Sequence, residues 1–363
     1  AHSTPPFGFE QVSTLGRRCL AAPLSTPTSS RLYCICSPPT CSTKISMVFV
    51  LLVALQLPLA NFASAAEAAV ASCFTPRLAQ TLVACNPSIV GGWRKQSVVV
   101  LDGVLGREAC ERLRSEAEAI RSRGLLERAE SSGDVMATQV TPDDDSMRRA
   151  ATTLTALPRA IARAVGRRIN DEVRGRQASG EAMSCLVEDG AHTNKLAVVE
   201  TDGGAYLKHV DSILAGGMDP RKLTAIYYLN PNWSEAQGGH LRAWDAVVVG
   251  GDGGEAGPPA GGDGAVRVAP RGDRLVLFWS DGLVHDVEPL RIASEADHRW
   301  ALTTWHLAAD PAADRSLAQG LDPWLDVRHF GAPLTSLTAP ARRLATRSLA
   351  DACGRALQVM TRR

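Results

Sequence analysis

The hydrophobic positions of this chain change their period partway along it. From Ser97, SVVVLDGVL is a run of β-branched residues that predicts a strand. After Gly106, the segment REACERLRSEAEAIRSRG sets Ala109, Leu113, Ala117 and Ile120 at helical spacing, and Gly124 marks the end of that helix. A second helical stretch is predicted from about Asp145 to Val173. Leu154, Leu157, Ile161, Val165 and Ile169 form its stripe, and Pro158 is a break or a new first turn. Beyond Leu196 the period falls to two: KLAVVE, AYLKHV, LTAIYYLN, GGHLRAW, AVRVAP, DRLVLFWS, LVHDVEPL and RWALTTWHL are short strand-like runs separated by Gly, Pro, Asp and Asn. So many short strands between Leu196 and Ala309 predict a barrel or jelly roll rather than alternating βαβ units, with the helices buttressing a sheet. The fold class expected is a mostly β core with flanking helices (α+β).

The ends have a different texture. Residues 1–46 are rich in Ser, Thr, Pro and Cys, with Arg17, Arg18, Arg31 and Lys44 against the single acid Glu10, a composition that suits a targeting or disordered leader. Met47 begins MVFVLLVALQLPLANFASAAEAA and reads as an initiator. Its apolar run is too short for a stable membrane span, and Ala63, Ser64 and Ala65 suit a signal-peptidase site. A cleaved secretory-type signal is the reading favoured over a signal anchor or an organelle presequence. It points to the secretory pathway, the endoplasmic reticulum or an organelle; an artefactual leader would leave the chain cytoplasmic. The expected organisation is a leader over 1–66 (signal-like in 47–66), a linker over 67–95, an N-terminal strand with supporting helices over 96–195, the catalytic core over 196–309, and a C-terminal loop and helix over 310–363. The glycine-rich stretch between Val249 and Ala265 reads as a hairpin loop, since no strand-to-helix context makes it a phosphate loop.

Charge narrows the partners. With 39 basic and 38 acidic residues, the net charge of +1 gives no electrostatic reason to bind nucleic acid or an anionic membrane surface. The 9 cysteines are scattered and form neither a zinc knuckle nor a disulfide framework, although Cys73 and Cys85 could pair in an oxidising compartment. Nothing in the sequence fixes an oligomeric state.

Chemistry gathers in the strand-rich part. His209 and Asp211 lie two apart in KHVDS, so an extended backbone sends both side chains to one face. Alone the pair is a weak signal. His285 in LVHDVEPL supplies a third ligand, and two imidazoles with one carboxylate leave three adjacent positions of an octahedral metal open, as Fe(II) needs to take a bidentate co-substrate and O₂. A hydrolytic zinc site would accept the same three residues but gives no reason for Arg299, which opens RWALTTWHL. A forked guanidinium matches the distal carboxylate of 2-oxoglutarate. Period-2 counting puts Arg299, Ala301, Thr303 and Trp305 on one face of that strand, and Thr224, Ile226 and Tyr228 on one face of LTAIYYLN. Tyr228, with Thr224 on its face, is thereby a candidate to share that carboxylate.

These residues resemble a known family, the prolyl hydroxylases of the 2-oxoglutarate oxygenase superfamily, and most of all the prolyl-hydroxylase-domain enzymes that act on hypoxia-inducible factor. The likeness covers Leu196 to Ala309 through YLKHVD, LTAIYYLNPNW, GGHLRAW, DRLVLFWSD, VHDVEP and RWALTTWH. It implies a double-stranded β-helix core, of the jelly-roll or cupin-like barrel type, in which His209, Asp211 and His285 bind iron while Arg299 and Tyr228 hold 2-oxoglutarate. It also implies hydroxylation of a prolyl residue in a protein or peptide, release of succinate and CO₂, and L-ascorbate as the reductant. The same chemistry on a small molecule or a lysyl side chain, or a non-catalytic barrel that binds Pro-rich peptides, are the alternatives. Three departures stand out. Val198 and Val199 occupy the place of a family tyrosine, the interval from His285 to Arg299 is longer through IASEADH, and the glycine-rich insertion is extra; the two loops are expected at the pocket mouth.

Overall fold

The computed structural model describes residues 59–86, 96–129, 135–181, 183–212, 220–251 and 264–310, all within the compact unit Cys41–Arg363. The leader-like residues 1–58, most of the glycine-rich stretch and the tail from 311 lie outside the described residues.

In chain order the helices are α1 (Leu59–Cys73), α2 (Pro76–Ala84), α3 (Arg107–Ser122), α4 (Asp145–Ala150) and α5 (Thr152–Ala178). The strands are β1 (Gln96–Asp102), β2 (Glu127–Arg128), β3 (Val135–Thr138), β4 (His192–Val199), β5 (Tyr206–His209), β6 (Arg221–Tyr228), β7 (Leu241–Trp244), β8 (Ala246–Gly250), β9 (Ala265–Val268), β10 (Arg274–Trp279), β11 (His285–Val287) and β12 (Arg299–Leu307). They form a large sheet of order β2-β3-β4-β12-β6-β10-β1-β8 and a small one of order β5-β11-β7-β9. Pairing is antiparallel except between β1 and β8. This is the expected double-stranded β-helix in an open form: two facing sheets that do not join into one closed barrel among the described residues.

Alternation along the strands builds two cores. Leu275, Leu277 and Trp279 of β10, Leu223, Ala225 and Tyr227 of β6, and Trp300 and Leu302 of β12 pack with the helices. The residues between them, including Val276, Phe278, Ile226, Tyr228 and Ala301, pack against Leu241, Ala243 and Val287 of the small sheet. One face of the large sheet therefore rests on helices, and the other closes over a pocket.

The helices depart from expectation in two places. The break between the second pair of helices falls at Ala151 (φ −149°, ψ 65°), and α5 runs unbroken through Pro158. Proline's fixed φ suits a helix, so its cost there is a missing N–H. Where the chain turns at Ala151, α5 has no side-chain cap of its own. Glu116 of α3 serves instead, its carboxylate accepting from the backbone N–H of Thr153 at 3.0 Å and of Leu154 at 2.7 Å.

The second correction concerns the linker expected over 67–95. Residues 59–86 fold as α1 and α2: Phe62, Ala66, Ala69 and Val70 bury one stripe of α1, while Ala79, Leu82 and Val83 bury one of α2. Thr75 caps α2 ahead of Pro76, and the indole N–H of Trp279 donates to Leu82 O at 2.7 Å, tying α2 to the large sheet. Ala63, Ser64 and Ala65 thus lie inside a packed helix, where small residues allow close approach. No disulfide joins Cys73 to Cys85. Among the described residues, no helix is long and apolar enough to cross a membrane.

Candidate metal and dicarboxylate site

The pocket between the sheets has a metal-ligating cluster at one end. β5 ends at His209, and Asp211 follows in a bend that is stitched to the end of β10 by Ser212 N–H donating to Ser280 O at 2.9 Å. His285 opens β11 directly opposite His209. The imidazole Nε2 of His209 lies 3.5 Å from Asp211 Oδ1, that of His285 lies 3.9 Å from the same oxygen, and the ligand atoms of the three residues all fall within 4.8 Å of one another. His209 Nδ1 is 2.6 Å from Leu207 O, and His285 Nδ1 is 3.0 Å from Leu283 O. A carbonyl only accepts, so each Nδ1 carries the proton and each Nε2 turns a lone pair toward the cluster. Burial pushes the Asp211 carboxyl upward, but the positive charge that the His285 and His209 rings carry whenever they are protonated, with the hydrogen bond from the Thr224 hydroxyl, outweighs it and holds the group well below the usual carboxylate range. Two neutral nitrogens and one carboxylate oxygen suit a divalent transition metal and leave it open on one side.

The strand pairing that brings these ligands together is irregular. Between Val287↔Tyr206 and His285↔His209, β5 holds one more residue than β11, a bulge that turns Tyr206 and His209 to the same side. Strict alternation would separate them. Tyr206 therefore lines the pocket, and sequence counting missed it. Its hydroxyl has no hydrogen-bond partner among the described residues, and burial raises its pKa to about 12, so it enters the pocket as a neutral donor. It gives the pocket a phenol hydroxyl from β5, on the strand after Val198 and Val199.

At the other end lies Arg299, 6% exposed. Its Nε donates to Gly239 O at 2.9 Å and one terminal nitrogen donates to the Tyr228 hydroxyl at 3.3 Å. No carboxylate pairs with this guanidinium among the described residues, although it lines the same pocket as the His–Asp–His cluster. A buried cation without a counter-charge is costly, and the remaining N–H groups match a carboxylate entering the pocket.

Not every expected residue does what its strand face suggested. Tyr228 is fully buried and stands behind the guanidinium, orienting it. Thr224 is placed differently from the expectation that it joins Tyr228 in holding the co-substrate. Its hydroxyl donates to Asp211 Oδ2 at 2.7 Å and accepts from Ser280 Oγ at 2.8 Å, so it holds the metal-binding carboxylate. The physical reason is register: Thr224 pairs with Trp305 at the metal end of β12, whereas Tyr228 pairs with Ala301 near Arg299. Beneath Ser280, a buried ion pair of Lys222 with Asp281 at 3.0 Å fixes the same turn. Ser280, Tyr206, Thr303 and Lys195 are polar groups that the structure adds, the last three lining the pocket. The IASEADH segment lies between β11 and β12. It forms a short turn around Glu295–Asp297 next to Arg299, held by Arg114 of α3 donating to His298 O at 3.0 Å.

A fold of two facing sheets enclosing a His–Asp–His cluster and a buried arginine defines a class, and residues 194–307 match the family described as the 2OG-Fe(II) oxygenase superfamily. The chain carries an oxygenase domain of that superfamily across the strands that build the pocket. It is 27% identical over 237 residues to Egl nine homolog 1 of Mus musculus, covering 62% of this chain and 50% of that protein. It is 35% identical over 127 residues to the hypoxia-inducible factor prolyl hydroxylase of Caenorhabditis elegans, covering 34% of this chain and 14% of that one. The chain therefore spans about half the length of the mouse relative and less of the nematode one. Among solved structures it is similar to a prolyl hydroxylase from Trichoplax adhaerens in complex with a hypoxia inducible factor oxygen degradation domain peptide fragment, with a TM-score of 0.45 and 20% identity over 67% of this chain and 93% of that one.

Proposed function

We propose that this protein is an Fe(II)- and 2-oxoglutarate-dependent dioxygenase that hydroxylates prolyl residues in a protein or peptide, with release of succinate and CO₂ and with L-ascorbate as reductant. The observation that carries the reading is the pairing, in one pocket, of a two-histidine, one-carboxylate cluster with a buried guanidinium that has no protein counter-ion. His209, Asp211 and His285 would hold the iron, which supplies the oxidising chemistry that couples 2-oxoglutarate breakdown to hydroxylation. Arg299 would bind the distal carboxylate of the co-substrate, oriented by Gly239 and Tyr228. Thr224 holds the ligand carboxylate in place, and the apolar floor of Ala197, Ile226 and Leu241 keeps water from the reacting atoms. The prolyl target is supported by the homology of residues in and around 194–307 to proteins named as prolyl hydroxylases.

The test is turnover by the purified chain. With Fe(II) and ascorbate it is expected to convert 2-oxoglutarate to succinate, and His209→Ala is expected to lower the rate at least a hundredfold; undiminished turnover in that variant ends the proposal. Proline peptides incubated with the enzyme are expected to gain one oxygen atom by mass spectrometry. Silence across the panel with succinate formation intact replaces the prolyl target with a different substrate of the same chemistry. Activity with Zn(II) but not Fe(II) identifies a hydrolase instead.

A further inference from the structure

One cation in the pocket is not used by the chemistry above. β4 lies beside β12 in register, with Lys195 opposite Thr303 and Ala197 opposite Ala301. The row that β4 presents to the pocket consists of two apolar residues and a lysine: Val199, Ala197 and Lys195. Lysine at such a position has a desolvation cost, and burial pulls its pKa below the usual lysine value. Nothing among the described residues offsets that cost with an ion pair or a hydrogen bond. Its contacts are two aromatic faces instead: Nζ lies 5.3 Å from the Tyr206 ring centroid and 5.8 Å from that of Trp305.

Position decides what this ammonium faces. Arg299 lies four residues along β12 from Thr303, a separation of about 13 Å at the usual strand rise, so the backbone of Lys195 sits away from Arg299 along the sheet, although the guanidinium still acts on its ammonium. Its place on β4 is toward the metal end, where Trp305 pairs with Thr224 and Thr224 holds Asp211. Arg221 adds positive charge there, its guanidinium 5.2 Å from the Trp305 centroid. The acid acting on Lys195 is Asp211, whose carboxylate belongs to the metal cluster.

Resting on the dioxygenase reading, we propose that Lys195 is the specificity-determining residue of this pocket: it pairs with a carboxylate of the substrate next to the carbon that is oxidised, so the preferred target is a prolyl residue flanked by aspartate or glutamate. The aromatic walls of Tyr206 and Trp305 hold the lysine stem and ammonium in one place, and a point charge on a flexible stem accepts either acid without demanding bidentate geometry. A neutral substrate leaves the ammonium enclosed and unpaired, which makes the discrimination about tenfold or more.

The experiment measures binding and turnover separately. Two end-blocked proline pentapeptides that differ only in Asp or Asn beside the proline are titrated into the full chain, loaded with Fe(II) and 2-oxoglutarate under nitrogen. The expected result is about tenfold tighter binding of the Asp peptide, a ratio that shrinks with added salt, falls to near one in Lys195→Met and is kept in Lys195→Arg. Equal binding of the two peptides by the unaltered chain overturns the proposal, as does a ratio that survives in Lys195→Met when thermal melting shows that variant folded. A third overturning result is a Lys195→Met variant that weakens 2-oxoglutarate binding while leaving the peptide ratio intact, because the ammonium then belongs to the co-substrate. Succinate formation by the unaltered chain without peptide separates this proposal from the one beneath it. Peptide discrimination without succinate ends the dioxygenase reading and keeps the lysine site; succinate without discrimination does the reverse.

Discussion

At the scale of single residues, the site depends on atoms that never touch a metal or a dicarboxylate. Thr224 is the clearest case. Its hydroxyl has one proton, spent on Asp211 Oδ2 at 2.7 Å, and Ser280 must therefore donate to it. Thr224→Val keeps the shape and removes both bonds, so Asp211 loses the partner that orients its second oxygen. Iron affinity is expected to fall tenfold to a hundredfold, read by titration against a chelator. The KM for 2-oxoglutarate stays within about twofold of the unaltered chain if the hydroxyl serves the metal ligand, because the guanidinium end is untouched. Thr224→Ser, which keeps the hydroxyl, is expected to restore iron binding. A large rise in the 2-oxoglutarate KM with iron affinity unchanged would return Thr224 to the role that its strand face first suggested.

At the scale of elements, the pocket's two ends are set by turns and bulges that interrupt the regular strands. The turn before β7 brings Gly239 against Arg299: its carbonyl accepts from Nε, its φ is +70°, and a Cβ there would stand 3.2 Å from Arg299 Cδ and 3.0 Å from Leu290 Cγ. Gly239→Ala is expected to cost about 1–2 kcal/mol from the left-handed backbone and to raise the KM for 2-oxoglutarate severalfold by pushing the guanidinium aside. Steady-state kinetics at varied co-substrate and a denaturant melt check the two halves, and an unchanged KM would show that the arginine has room to yield. The same distinction explains what could be read in advance. Strand alternation was legible, and it placed Arg299, Thr303 and Trp305 correctly on one face and Tyr228 within reach of the guanidinium. The bulge in β5 was not, because one extra residue against β11 exists only in the pairing; Tyr206 was missed for that reason. Nor was the cap of α5, since Glu116 comes from another helix and no local motif announces it. In α1, the run of alanines has the composition of a cleavage site and the spacing of a buried stripe, and composition alone does not separate the two.

At the scale of the whole molecule, the helix layer and the sheet sandwich meet through a row of side chains that includes a titratable group. His306 of β12 is 2% exposed, packs beside Gly166 of α5, and its Nδ1–H donates to Leu223 O at 3.3 Å. Burial first, and then the imidazole of His192, its cross-strand partner on β4, together push its pKa down to about 4 from the ordinary 6.5; His192 is itself pulled down, mainly by burial. The folded chain therefore keeps this ring neutral where the unfolded chain takes up a proton. Stability from the neutral ring is fully present above pH 6.5, declines as the pH falls below that value, and is lost by about pH 4. With the gap between those two values at about 1.4 kcal/mol per pH unit, the loss is on the order of 3 kcal/mol. Denaturant midpoints of the chelator-treated chain are expected to be level above pH 6.5 and to fall toward pH 4. His306→Leu gives up the bond to Leu223 and starts from a lower midpoint, but it has no ring to protonate at the joint between the layers. Its curve is therefore expected to fall less steeply over that interval, and two parallel curves would place the acid sensitivity in some other group.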